Sequence, residues 1–193
     1  MSGLLRGKSI LFFLTLLLLF TTKPLYAHVM TTGISRWCFG NDYVLVQIDL
    51  DSYLIGVIKG IREGGNNPDA IDEKQLPKIA AEILQPYINE RLHLTVNNKP
   101  CPLKVIKVVR SQELLFTVCL YADNIVLNKP EVPVKIEYRL LFPETSYAHQ
   151  NMAYMYTADG PSDTVQKIFD NYPPKWQAIF DPSAPEWEVL IKR

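Results

Sequence analysis

Cys101-Pro102-Leu103-Lys104-Val105-Ile106-Lys107-Val108-Val109 and Leu114-Leu115-Phe116-Thr117-Val118-Cys119-Leu120-Tyr121, joined by Arg110-Ser111-Gln112-Glu113, decide the fold. Both runs are rich in β-branched and aromatic residues and the connector is polar, which is the pattern of a β-hairpin. Folded about Arg110, the hairpin sets Cys101 opposite Cys119 and Lys107 opposite Glu113. Directly opposed residues share a face with Cβ atoms within about 5.5 Å, close enough for a disulfide after small adjustment. Closing that loop would contribute about 3 kcal/mol in the chain-entropy model. On the other face Leu114, Phe116, Val118 and Leu120 point to a core.

The runs on either side repeat this pattern. Residues 29–38 (VMTTGISRWC) and 43–50 (YVLVQIDL) flank Phe39-Gly40-Asn41-Asp42, a turn between two strands. Val44, Val46 and Ile48 give one strand an apolar face. Residues 92–97 (LHLTVN) lead into the turn Asn97-Asn98-Lys99-Pro100, and 132–142 (VPVKIEYRLLF) and 151–157 (NMAYMYT) read as further strands. Residues 51–62 fit either a short helix or a strand extension, and Gly56 and Gly60 each weaken a helix by about 1 kcal/mol relative to Ala. Residues 64–69 (GGNNPD) are a loop.

One segment has a helical period. Leu76, Ile79, Ala80, Ile83, Leu84, Tyr87 and Ile88 recur at three- and four-residue spacing within residues 72–92. Asp72 and Gln75 resemble a capping arrangement, and Pro77 suits a first turn. Pro86 lacks an N–H and crowds the carbonyl of Glu82, which predicts a kink or break. Several short strands around one inserted helical segment predict a mainly β fold, a β-sandwich of the immunoglobulin-like kind.

The start of the chain reads as an address. Arg6 and Lys8 precede the apolar run 9–20 (SILFFLTLLLLF), and Leu25-Tyr26-Ala27 closes the segment with a small residue. The run is shorter than the roughly 20 apolar residues of a spanning helix. It predicts a secretory signal peptide over 1–27, cleaved after Ala27, and a single exported domain over 28–193, periplasmic or secreted. The alternative is a retained membrane anchor, which exports the same domain. No later apolar stretch is long enough to span a bilayer. Without Arg6, Lys8 and Lys23 a chain of zero net charge becomes mildly acidic, so nucleic acid is an unsuitable partner. An oxidising compartment permits the Cys101–Cys119 bond, and leaves Cys38 as a buried small hydrophobe.

Candidate chemistry is sparse. After cleavage His28 carries both an amine and an imidazole, a two-nitrogen chelate that suits Cu(II). His149 could complete the set, and thioether sulfurs at Met152 and Met155, with Met30, suit Cu(I). Against this, residues of opposite parity in a strand face opposite ways, and methionines commonly fill cores. His93, between Leu92 and Leu94, reads as structural. The acidic cluster before the helix fits a calcium loop only at Asn66. No nucleophile elbow or phosphate cradle is present. Tyr172, Trp176 and Trp187, in a tail rich in proline and aromatic residues, are candidate partner contacts, because exposed Trp and Tyr anchor interfaces; capping of the core is the alternative.

Ala27-His28, the stretch Ile71-Asp72-Glu73-Lys74-Gln75-Leu76, Leu92-His93-Leu94-Thr95-Val96, Cys101-Pro102-Leu103, His149-Gln150-Asn151-Met152-Ala153 and the turn Asp159-Gly160 follow in an order that resembles the extracytoplasmic N-terminal domain of HupE/UreJ-type membrane proteins. The family's membrane bundle, whose His- and Asp-bearing helix is tied to nickel or cobalt passage, has no counterpart in residues 28–193, and the loop that resembles a degenerate calcium site in relatives is missing too. The resemblance implies an envelope location and a link to metal handling, and supplies no catalytic residue. The expectation is a non-enzymatic binding or accessory module for an envelope or membrane protein. A periplasmic copper protein using His28 is the alternative, and an exported hydrolase the third.

Overall fold

The alternating strands form two sheets packed face to face. The computed structural model describes residues 31–51, 72–112, 115–127, 129–145 and 147–192. The expected leader, His28, Met30, the run 52–62, the loop 64–69, Glu113 and Leu114 lie outside the described residues.

β1 (Thr31–Phe39) and β2 (Val44–Asp51) form the first hairpin, with Phe39 opposite Val44. A helical segment, α1 (73–91), leads directly into β3 (Leu92–Val96), which turns into the short β4 (Lys99–Pro100). Asn97 and Asn98 form that two-residue turn with φ of 50° and 60°, the left-handed pair that such hairpins require and asparagine tolerates. β5 (Lys104–Gln112), β6 (Leu115–Ala122), β7 (Glu131–Tyr138) and β8 (His149–Thr157) follow. The chain closes with α2 (Val165–Asn171), β9 (Trp176–Phe180) and β10 (Glu186–Lys192). The large sheet runs β5-β6-β2-β1-β8-β9 and the small sheet β10-β7-β3-β4. β1 and β8 are parallel neighbours; the other ladders are antiparallel.

Trp37, Phe39, Val46, Ile48, Phe116, Val118 and Leu120 from the large sheet meet Leu94, Val134, Ile136, Tyr138 and Ile191 from the small one in a single buried cluster. Burying each such side chain stabilises by roughly 1.5–3 kcal/mol. The mainly β sandwich with one inserted helical segment is therefore present.

Six strands cannot be covered by four, and α1 completes the second layer. Its Leu84, Tyr87 and Ile88 meet Ile48, Leu50 and Val118 of the large sheet. The Asp72 carboxylate caps the segment by accepting from the Lys74 N–H at 3.0 Å. Pro86 does not break it. The turn Ala80–Leu84 widens instead, with the Gln85 N–H reaching back to the Ala80 carbonyl. This π-type turn makes room for a ring that an ordinary α-turn would crowd. The Tyr87 hydroxyl accepts from the Leu141 N–H at 2.7 Å and ties the helix to the chain after β7.

The hairpin that announced the fold has a different register. β5 runs on through Arg110, Ser111 and Gln112, and Lys107 stands opposite Cys119. Cys101 belongs to the other layer, where its N–H donates to the Leu94 carbonyl at 2.8 Å. No disulfide joins Cys101 and Cys119. The reason is local: Pro102 has no N–H for a ladder, and Cys101 continues the β3–β4 turn before the chain crosses to the large sheet. On the outer face of the large sheet α2 covers a second apolar cluster, Cys38, Tyr43, Tyr156, Ala158 and Val165.

Candidate functional site

α1 lies beside β5, the last strand of the large sheet, because its apolar stripe must cover Ile48, Leu50 and Val118. The neighbouring stripe, Pro77, Ala81 and Gln85, thereby lines the space along the strand. Gln85 bridges the two elements. Its Oε1 accepts from the Val105 N–H at 2.6 Å and its Nε2 donates to the Leu103 carbonyl at 3.0 Å. A side-chain amide has the donor and acceptor of a peptide group, so Gln85 acts at this point as a neighbouring strand would.

Helix and strand leave between them a groove of about 790 Å³. Its volume falls within the ~300–1,000 Å³ of typical ligand clefts. One wall is Leu76, Pro77, Ala80 and Ala81; the other is the stretch of β5 from Val105 to Arg110. The register shifts between Val105 and Lys107, and the intervening Ile106 is 55% exposed, the behaviour of a β-bulge. At one end the Arg110 guanidinium sits 4.9 Å over the Phe116 ring and 3.8 Å from the Glu73 carboxylate. β5 carries Lys104, Lys107 and Arg110 and no acid. The lining combines apolar walls with an amide and cations, which are groups for holding a ligand.

No family model and no curated protein matches this chain. Among the described residues no helix is long and apolar enough to cross a membrane.

The residues singled out by the sequence lie elsewhere. His149 opens β8 with its ring buried, 6.4 Å from the Tyr138 ring and 6.2 Å from that of Phe142. Burial lowers its pKa to about 4, because the charged form loses hydration. Next on the same face, Asn151 Nδ2 donates to Ser35 Oγ at 2.7 Å, and Trp37 Nε1 donates to the same oxygen at 2.9 Å. Gly33 packs against this group: a Cβ there would lie 3.0 Å from His149 and 3.2 Å from Asn151 Oδ1. Met152 is exposed on the opposite face of β8, opposite Ile179 in the ladder, and Met155 is in the core. His149 and Met152 therefore do not meet, as strand alternation requires. Among the described residues no group of three or more His, Cys, Asp or Glu is placed to hold a metal. His93 is on the solvent face, 3.5 Å from Glu137.

Burial raises the pKa of both Cys101 and Cys119, which disfavours the reactive thiolate. Tyr172 is exposed, but Trp176 and Trp187 are half-buried against the main core on β9 and β10. The sequence reading missed Gln85, Ala81, Ile106 and Lys107. Its available signals were the 77/81/85 stripe and a cation at every third position from Lys104 to Arg110.

Proposed function

We propose that the protein is an exported, non-enzymatic module that binds an envelope or membrane protein through the groove between α1 and β5. The observation that carries this reading is Gln85. It pairs with one end of an outer strand, and next to it the strand borders an open, apolar-walled space. The leader-like residues 1–27 support export, and the HupE/UreJ resemblance supports a membrane partner concerned with nickel or cobalt.

A photo-crosslinking residue at exposed Ala81, in the full chain expressed in its own envelope, tests the site. Adducts with one membrane protein, absent from a Tyr172 probe and lost when Ile106→Trp fills the groove, are expected. Adducts from Tyr172 alone would move the contact surface to the tail and end this reading. Sequencing the amino terminus of the recovered protein tests export, with His28 first as the expected result.

A further inference from the structure

Resting on that assignment of the groove, we infer that its occupant is an extended, acidic segment of the partner polypeptide, which adds to β5 as a further strand. β5 spans nine residues and, among the described residues, stands at the end of a six-stranded sheet. Such strands present peptide N–H and C=O groups outward as a template for pairing. The Gln85 amide already uses that template at Leu103 and Val105, so it marks where an added strand must stop. Beyond it Leu76, Pro77, Ala80 and Ala81 border the groove, and an added strand would lie at the ~4.8 Å spacing of a sheet neighbour.

Charge selects among occupants. Lys104, Lys107 and Arg110 give β5 three cations, and Glu73 is the carboxylate among the groove-lining residues. A second copy pairing β5 with β5 would bring like charges together, which is unfavourable across a ladder and is a means of blocking self-association at an edge. A strand with acidic side chains toward Lys107 and small apolar ones toward Leu76 satisfies both sides of the groove. Main-chain hydrogen bonds would supply affinity and the alternating side chains selectivity, as in other strand additions.

The test uses the full chain and a fluorescent, end-blocked Glu-Val repeat of about eight residues, long enough to span the open part of β5. Its Lys-Val counterpart is compared, together with two Glu-Val analogues N-methylated on odd or on even residues. The acidic peptide is expected to bind at least about tenfold more tightly than the basic one. Methylation of one parity should abolish binding and the other should leave it, because only alternate N–H groups face the strand. Ala81→Trp should remove binding, and Lys107→Glu should reverse the charge preference. Both residues are exposed, and unchanged urea midpoints would verify that the variants fold. Equal loss from both methylated series, indifference to charge, failure of the acidic peptide to bind, or a β5-dependent homodimer would each overturn the inference. If Ala81 crosslinks persist while the peptides show no parity effect, the groove stands as the docking site and strand addition falls. If the crosslinks also vanish, the functional reading falls with it.

Discussion

The polar groups at the start of β8 and those along β5 belong to one sheet, yet they have opposite surroundings. His149, Asn151 and Ser35 have the more chemical-looking side chains, and they are sealed in the sandwich. Asn151 and Trp37 both donate to Ser35, and the His149 ring lies against those of Tyr138 and Phe142. The β5 groove has mainly apolar walls, with Gln85, Glu73, Lys107 and Arg110 as its polar groups, and it is open. Residue identity suggests reactivity, but access decides function. A buried histidine can hold a core together, and a small residue beside an edge strand can leave room for a partner.

Three measurements put this contrast at risk. Trp37→Ala should have the largest effect. It empties a fully buried site and removes the indole donor to Ser35, costing about 3–5 kcal/mol in urea unfolding, while any peptide affinity of the groove persists below the transition. A cost under about 1 kcal/mol would contradict close packing around Trp37.

The second is pH. Burial holds the pKa of folded His149 at about 4, below the ordinary imidazole value of 6.5, so the unfolded chain takes up its proton first. Stability from this group is complete above pH 6.5, declines as pH falls toward 4, and levels off below, for a total of up to about 3 kcal/mol. Glu137 is held below the usual carboxylate range by its hydrogen bond from Arg139 and loses its contribution at lower pH. Urea midpoints at pH 7 and pH 5 should therefore diverge in the parent protein and converge in His149→Gln. Equal divergence in both proteins would place His149 in water.

The smallest effect belongs to the groove. Gln85→Ala returns the Val105 N–H and Leu103 carbonyl to solvent at a cost of about 1 kcal/mol. Urea unfolding would register that small change. The same variant should shift the end of any added strand, read as tolerance of longer acidic peptides. A loss of several kcal/mol would instead make Gln85 a pillar of the fold, like Trp37.

Much of the architecture could be read from the chain. The alternation in β2, β6 and β7 and the stripe from Leu76 to Ile88 reappear as faces turned to the core, because burial periodicity follows directly from strand and helix geometry, and Gly40-Asn41-Asp42 joins β1 to β2. The π-turn before Pro86 was foreseeable only as a disturbance, since a break, a kink and a widened turn all relieve the same clash. β9 and α2, within and before the tail, were not anticipated. Their pairing partners lie far away in sequence, and short segments carry little periodic signal.

What the sequence determined by itself was class: strands, one helical insert, and which face of each element is apolar, because those properties are local. Packing of the layers set the register of β5 on β6, the separation of Cys101 from Cys119, the seclusion of His149 from Met152, and the placing of Gln85 against Val105. Each of these depends on which layer a segment joins. That choice rests on how six strands, four strands and one helix share a single core, a sum over contacts that no short stretch of the chain contains.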